Sequence, residues 1–129
     1  MLKKFMIQRG TILKVIDNTG AKKIKCIGIP GHSKIRYAYI GDIIVGSVKE
    51  AEPRQKIQKG DIVYALIVRQ KKPYQIGKTG IYIRFDDNAV ILVDKNSKKP
   101  LGKRFDGPIP RVLKEKGFGE VINLAKNVV

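Results

Sequence analysis

The residues most able to do chemistry in this chain are cations spread over its loops and strand edges. Among 129 residues, 27 lysines and arginines face 11 aspartates and glutamates, which gives a formal net charge of +16. A free monomer with this charge repels itself, and a polyanion such as nucleic acid offsets that repulsion. The charge therefore predicts nucleic-acid binding through phosphate contacts, with a merely soluble basic protein as the alternative.

The candidate contacts share a positive charge and a position in a predicted loop or at a strand edge. They are Lys22, Lys23, Lys25, Arg36, Arg54, Arg69, Lys71, Lys72, Arg84, Lys99, Lys103, Arg104 and Arg111. The first three follow a predicted turn. Because successive strand residues point to opposite faces, these three lysines cannot all share one surface, and we expect them to contact different phosphates. Three solvated charges near a turn are the alternative.

Aromatic rings alternate with cations in the first third of the chain. Lys34, Arg36, Tyr37 and Tyr39 follow a loop that contains His32, the only histidine. Rings that stack on exposed bases beside cations that meet phosphates are typical of nucleic-acid binding. A half-buried structural role is the alternative for the tyrosines. The lone histidine favours a surface position or an RNA contact over a metal ligand or a general base.

Catalytic and metal-binding patterns are weak. Gly77–Thr79 resembles the end of a phosphate-binding P-loop, but Lys72 stands where that motif requires glycine. Asp86 and Asp87 are adjacent, so on a strand they point to opposite faces and make a poor acid–base pair. Cys26 is the only cysteine, which leaves no internal disulfide or cysteine-based zinc cage and favours a reducing compartment. We therefore expect no enzyme, no cofactor and no metal site.

The stretch from Lys59 to Val93 predicts the centre of the fold. Ile62 to Val68 is an apolar run of strand length, which predicts a strand buried on both faces. Ile81 to Phe85 alternates, and Ala89 to Val93 is a third apolar run. Between the first two runs we expect a turn-rich basic arm, which carries Arg69, Lys71, Lys72 and Lys78.

Short strands also precede this stretch. Thr11 to Ile16 and Ile24 to Ile29 are joined by Asp17 to Gly20, whose residue types favour a hairpin turn. Asp42 to Val48 is the next strand, and its small residues permit a bend. Five or six short strands separated by glycine and proline turns predict a mainly β protein built on a small closed barrel.

The chain changes character after Val93. Residues 94–108 are basic and have no strand or helix period, which is typical of a functional loop. Pro110 predicts the first turn of a short helix that Gly117 ends, and Val121 to Leu124 is either a strand or a helical turn. We expect one domain over residues 1–129, with the barrel and arm at 9–93 and the basic loop, helix and tail at 94–129.

Targeting signals are not evident in the sequence. We find no secretory signal, no run of membrane-spanning length and no mitochondrial presequence. The excess of lysine over arginine and the abundance of isoleucine are consistent with A+T-rich coding DNA. This bias favours an organelle genome or an A+T-rich bacterium.

Ordered segments along nearly the whole chain from Met6 resemble the universal family of large-subunit ribosomal protein L fourteen, in its bacterial and organellar form. The matching segments are Met6 to Gln8, Asp17 to Ala21, Arg36 to Ala38, Gly41 to Ile44, Lys49 to Ala51 with Pro53, Lys59 to Asp61, Ala65 to Arg69 with Lys71 and Lys72, Arg84 to Asp86 with Asn88 and Ala89, and Gly102 to Arg104 with Gly107 and Pro108. Each segment alone is weak, but their order and spacing are specific. Thr79 and Ile91 depart from the family's signature while keeping the shape of a turn or strand.

The resemblance implies a five-stranded β-barrel with a short C-terminal helical region. It implies a structural constituent of the large ribosomal subunit that binds ribosomal RNA at the intersubunit face, contributes to bridges with small-subunit RNA and takes part in translation. The implied protein partners are members of the L three and L nineteen families and a ribosome-silencing factor. The implied location is the ribosome, with the mitochondrial matrix favoured by composition and bacterial cytoplasm or plastid as alternatives.

Two other classes of function are weighed against this one. A free oligonucleotide-binding barrel would use Tyr37, Tyr39 and Tyr82 as a stacking platform and would bind short unstructured strands nearly as well as folded RNA. An enzyme of nucleotide chemistry would bind nucleotides, and the failed P-loop argues against it.

Overall fold

The computed structural model describes residues 7–30, 37–76 and 80–129. The predicted contact Arg36, the loop residues His32 and Lys34, and Gly77–Thr79, which includes Lys78 of the predicted arm, lie outside the described residues.

A closed barrel of five strands forms the body of the protein. Its strands are β1 (Ile12–Val15), β2 (Ala21–Gly28), β3 (Ile43–Ala51), β4 (Ile62–Arg69) and, after a separate ribbon, β7 (Ala89–Val93). Neighbouring strands are antiparallel except at the closure, where β1 and β7 pair in parallel. The expected mainly β barrel is confirmed, and closure gives each of the five strands a neighbour on both sides over part of its length.

Strands β4 and β7 carry the densest part of the core. All five residues of β7 are buried, and so is β4 from Ala65 to Arg69. Ile62, in contrast, is 61% exposed, because β7 pairs with β4 only from Tyr64 onward and leaves the first residues of the strand with one neighbour. The predicted burial on both faces therefore holds for the second half of β4 and is wrong for its beginning.

Strand β2 contains an irregularity in its pairing beside its lysines. Its pairing with β3 shifts register on both sides of Lys23, and Lys22 and Lys23 are both exposed although they are adjacent. A β-bulge inserts an extra residue and breaks the strict alternation of a strand. The strict alternation on which the expectation for Lys22, Lys23 and Lys25 rests is therefore interrupted at Lys22 and Lys23, while Lys25 is partly exposed beside a buried Ile24.

A two-stranded ribbon leaves the barrel between β4 and β7. It consists of β5 (Tyr74–Ile76) and β6 (Ile81–Ile83), which pair only with each other. The alternating segment Ile81 to Phe85 thus begins as a ribbon strand and is not part of the barrel. The predicted arm is confirmed as a β-ribbon, but Arg69 does not belong to it, because this residue ends β4 in the buried core.

The C-terminal segment packs against the barrel. It contains β8 (Pro108–Ile109), α1 (Val112–Glu115), α2 (Gly119–Leu124) and β9 (Asn127–Val128), and β8 pairs with β9 in parallel. Gly117, with φ of +94°, ends the predicted short helix α1, and the undecided residues Val121–Leu124 are helical. Ile109, Leu113 and Val121 join the barrel residues in one buried cluster. In the described part of the chain, no helix has the length and apolar character needed to cross a membrane.

Candidate nucleic-acid interface

The outer face of β1 and β2 presents a group of lysines, which we call the hairpin surface: Lys14, Lys22, Lys23 and Lys25. In the antiparallel register, Lys14 lies directly opposite Lys23, and Ile12 lies opposite Lys25. Directly opposite residues share a face, and like charges in that position destabilise a sheet. Lys23 also approaches Glu50, with Nζ 3.8 Å from Oε1, but both side chains are more than half exposed and such pairs stabilise little. The hairpin surface therefore keeps an excess of positive charge.

The turn between β1 and β2 holds a second basic segment beside it. Asn18 Oδ1 accepts hydrogen bonds from the backbone N–H groups of Lys103, at 3.0 Å, and Arg104, at 3.4 Å. Asp17 anchors the same turn, because its Oδ2 accepts a hydrogen bond of 2.8 Å from the Leu92 backbone N–H. Burial raises the pKa of the Asp17 carboxyl, and hydrogen bonds from Thr19 and Leu92 oppose that rise in part. The Lys103–Arg104 segment is thus held beside the turn that leads into the hairpin surface.

The base of the ribbon holds Lys71, Lys72 and Arg84. Gln70, which is buried, receives a 2.8 Å hydrogen bond from the Ile40 backbone N–H and donates one of 2.8 Å to the Lys72 carbonyl. Lys72 Nζ lies 5.1 Å from the centre of the Tyr39 ring, a cation–π contact. Tyr82 on β6 is 60% exposed. Lys71 and Arg84 are exposed.

Arg69 differs from the other predicted contacts because its side chain is 8% exposed. Its Nε lies 3.3 Å from Asp87 Oδ1, but the N–H is not aimed at an acceptor within the described residues, so this contact is an ion pair without a hydrogen bond. A Cβ at Gly107 would overlap Nη1 of Arg69, which shows how closely the guanidinium lies against that backbone. The structure thus uses Arg69 to join the end of β4 to neighbouring loops.

The remaining predicted contacts are exposed cations in separate segments. Arg54 lies in the loop between β3 and β4 with φ of +70°, and Arg111 precedes α1. Lys99 Nζ lies 3.9 Å from Glu120 Oε1, and both side chains are largely exposed. No ion pair joins these three to the hairpin surface among the described residues.

A groove of about 530 Å³ carries cations that the sequence analysis did not select. Lys95, Lys98 and Lys116 line it together with the rings of Tyr64 and Phe118. These residues come from β4, from the loop after β7 and from the two ends of the segment between α1 and α2, so no local pattern links them. Lys14 was also missed, although the alternation of β1 places it outward beside Lys23 and could have indicated it.

Side chains that could together bind a metal ion are not assembled in the described ranges. No three histidine, cysteine, aspartate or glutamate side chains come together there in a way that could hold a metal ion. Cys26 is a buried free thiol, and burial raises its pKa, which keeps it protonated. Asp86 is exposed while its neighbour Asp87 pairs with Arg69.

The sequence is also similar to a known protein family. The family model described as ribosomal protein L14p/L23e matches residues 6–129. The chain belongs to this family. It is accordingly a protein of the large ribosomal subunit that takes part in translation, and its family is structural rather than catalytic. The resemblance drawn from the sequence segments is confirmed over essentially the whole chain.

Proposed function

We propose that this chain is a structural constituent that binds large-subunit ribosomal RNA through the hairpin surface, the Lys103–Arg104 segment and the base of the ribbon. The observation that carries this proposal is the register of β1 and β2, which sets Lys14 directly opposite Lys23. In the free protein these like charges repel each other. RNA phosphates on that face would be attracted by both lysines, and the counterions bound to those phosphates would be released.

The barrel supplies rigidity to this interface. Lys103 and Arg104 are held by Asn18, and Lys72 is held by Gln70 and lies over Tyr39. Loops whose backbone is fixed in this way lose little freedom when they meet an RNA surface of matching shape, and folded RNA is recognised largely by such shape and phosphate contacts. Of the predicted set, Lys22, Lys23, Lys25, Arg54, Lys71, Lys72, Arg84, Lys99, Lys103, Arg104 and Arg111 are retained as contacts. Arg69 is left out because of its burial, and Arg36 lies outside the described residues.

The test is the salt dependence of binding to large-subunit ribosomal RNA transcribed from the source genome. If about six phosphates are contacted, affinity falls ~1,000-fold or more between ~50 and ~200 mM salt. The K22Q/K23Q/K25Q variant should bind more weakly and reduce the slope of log affinity against log salt by about 1 for each phosphate that the protein no longer neutralises. Binding by the unaltered protein that does not respond to salt would contradict the proposal.

A matched control has the same change of charge at a different place. Lys49, Lys56 and Lys59 are exposed and lie outside the proposed contacts. The K49Q/K56Q/K59Q variant should bind far better than the hairpin variant. Equal losses in the two variants would mean that total charge, rather than a defined surface, governs binding.

Bridge and partner roles are proposed on the family resemblance. We propose that the RNA-binding face lies toward the small subunit and contributes to bridges with its RNA. Neighbours of the L three and L nineteen families, and a ribosome-silencing factor, are the proposed protein partners. Cross-linking within intact ribosomes, followed by mass spectrometry, tests each of these neighbours.

The proposal also covers the domain organisation and the cellular compartment of the protein. Residues 1–129 form one domain, which is supported by the continuous buried cluster that joins the barrel to Ile109, Leu113 and Val121. The lysine and isoleucine bias supports the mitochondrial matrix, with bacterial cytoplasm and plastid as alternatives. Mass spectrometry of ribosomal subunits from separated organelles tests the compartment. Stoichiometric co-migration with the large mitochondrial subunit is the expected result.

A further inference from the structure

The groove lined by Lys95, Lys98, Lys116, Tyr64 and Phe118 has a chemistry of its own. Its volume of about 530 Å³ lies within the range of roughly 300–1,000 Å³ that small ligands occupy. Among the described residues that line it, the single acid is Asp42, and Asp42 Oδ2 is engaged by the Tyr39 backbone N–H at 2.8 Å. Three lysines therefore face one occupied carboxylate, which favours an anionic occupant.

Two of the lysines are presented by a hydrogen-bonded turn after β7. Asp94 Oδ2 accepts hydrogen bonds from the Ser97 backbone N–H, at 3.2 Å, and from its hydroxyl, at 2.8 Å. The backbone N–H of Lys98 donates to the Asp94 carbonyl, and that of Asp94 donates to the Lys99 carbonyl. Lys98 adopts φ of +59°, a conformation that non-glycine residues take rarely. The turn thus fixes the backbone from which Lys95 and Lys98 reach the groove.

The third lysine is positioned from the other side. The stem of Lys116 lies against the backbone of Gly41, where a Cβ would overlap its Cδ and where φ is +93°. Its Nζ lies 5.6 Å from the centre of the Tyr74 ring. Glycine suits this backbone angle and leaves room for the Lys116 stem beside it.

The aromatic rings of the groove favour one class of anion. Lys95 Nζ lies 5.7 Å from the centre of the Tyr64 ring, and Phe118 lines the same groove. An acidic peptide would use the lysines and leave the rings without flat partners, whereas a nucleotide offers a phosphodiester for the cations and a base for the rings. We propose that this groove takes one unpaired nucleotide of RNA, with its phosphate among the three lysines and its base stacked on Tyr64, beside Phe118. This inference rests on the proposed RNA binding and adds a site to it.

Ultraviolet cross-linking of intact large subunits tests the site without any variant. Light at about 254 nm joins a base to a side chain that it touches, and nuclease and trypsin then leave a nucleotide on one peptide. Tyr64 is the one ring in tryptic peptide 60–69, and Phe118 is the one ring in peptide 117–126. A nucleotide mass on either peptide is the expected result. Adducts on other peptides of this chain, with both of these unmodified, would overturn the inference and leave the proposed function intact.

Binding of variants to the same large-subunit RNA gives an independent readout. Y64L should lower affinity about tenfold because it removes the stacking ring, whereas Y64F keeps the ring and should bind as the unaltered protein does. K95Q/K98Q/K116Q should reduce the salt slope by about 0.7, because the three lysines contact one phosphate and each single-strand phosphate contributes about 0.7. Circular dichroism and urea unfolding identify any variant that fails to fold, and the Y64L–Y64F pair then decides.

The outcomes separate the inference from the proposed function. If Y64L binds the RNA as tightly as Y64F does while K22Q/K23Q/K25Q binds weakly, the groove proposal is wrong and the proposed function stands. If the unaltered protein binds no large-subunit RNA, both the groove proposal and the proposed function are wrong. Carbodiimide linkage of Lys95, Lys98 or Lys116 to carboxylates of a neighbouring protein in intact subunits would show that an acidic protein segment occupies the groove, which also overturns the nucleotide proposal.

Discussion

Asn18 Oδ1 lies 3.0 Å from the backbone nitrogen of Lys103, although 85 positions separate the two residues in the chain. This hydrogen bond joins the turn of the first hairpin to the basic loop after β7. It also brings Gly102 so close that a Cβ there would stand 2.8 Å from Asn18 Oδ1. Asn18 therefore holds the Lys103–Arg104 segment beside the hairpin surface, together with the 2.8 Å hydrogen bond from the Asp106 backbone N–H to the Ile16 carbonyl.

Substitution of Asn18 by alanine should loosen that loop. The backbone N–H groups of Lys103 and Arg104 lose their acceptor, and because both are accessible to water the free energy of unfolding should fall by only about 1 kcal/mol. Urea unfolding measures the decrease, and amide hydrogen exchange should accelerate at these two residues. N96A, at an exposed asparagine in the same loop, is the control. Unchanged exchange at Lys103 in N18A would contradict the assigned hydrogen bond.

Removal of the carboxylate at Asp87 should leave the Arg69 guanidinium buried without its counter-charge. A fully buried pair loses about 3–5 kcal/mol when one partner is removed, but the Asp87 side chain is 34% exposed. We therefore expect D87N to lower the free energy of unfolding by about 1–2 kcal/mol. The neighbouring D86N, at an exposed carboxylate, should change it by less than about 0.5 kcal/mol in the same urea titration. Equal effects of the two variants would refute the structural role of the Arg69–Asp87 pair.

Addition of a methyl group at Gly46 should disturb the packing between β2 and β3. A Cβ there would stand 2.7 Å from Cδ1 of the buried Ile24, so the core must shift. Overpacking of this kind costs about 1–3 kcal/mol, and G46A should lower the midpoint of thermal unfolding accordingly. G28A is the matched control, because no atom lies within 4 Å of a Cβ at that position. G28A should unfold at the same temperature as the unaltered protein or slightly above it.

The pKa of the Asp17 carboxyl should lie above the usual value of 3.8, and the pKa of Asp94 should lie below it. Burial raises the pKa of Asp17, whereas hydrogen bonds from the Ser97 hydroxyl and backbone lower the pKa of Asp94. Carbon-13 NMR of the two carboxyl groups measures both values directly. An Asp94 that loses its charge at a higher pH than Asp17 would contradict the described hydrogen bonding.

The two shifts contribute to stability with opposite signs. The stability that Asp17 contributes is fully present below 3.8, where it is protonated in both states, and it is lost as pH rises through the raised folded pKa. The contribution of Asp94 is present above 3.8 and is lost as pH falls through its lowered folded pKa. D94N should therefore reduce the loss of stability on acidification below 3.8, measured by urea unfolding across that range.

The barrel and the basic character of the surface followed from the sequence itself. Apolar runs of strand length identified β4 and β7, and Asp17 to Gly20 marked the hairpin turn, because burial and turn geometry restrict the residue types at these places. The helix α1 could be predicted from Pro110 and Gly117 for the same local reason. The family resemblance was likewise carried by short segments in order, which require no coordinates.

Only the tertiary structure decided which cations act together. The register shifts beside Lys23 left two adjacent lysines exposed, the end of β4 buried Arg69, and the fold brought Lys95, Lys98 and Lys116 to one groove. A solvated lysine is compatible with almost any exposed position, so its residue type carries no information about its neighbours. Those neighbours are set by strand register, barrel closure and the path of the C-terminal segment, which depend on contacts between residues distant in the chain.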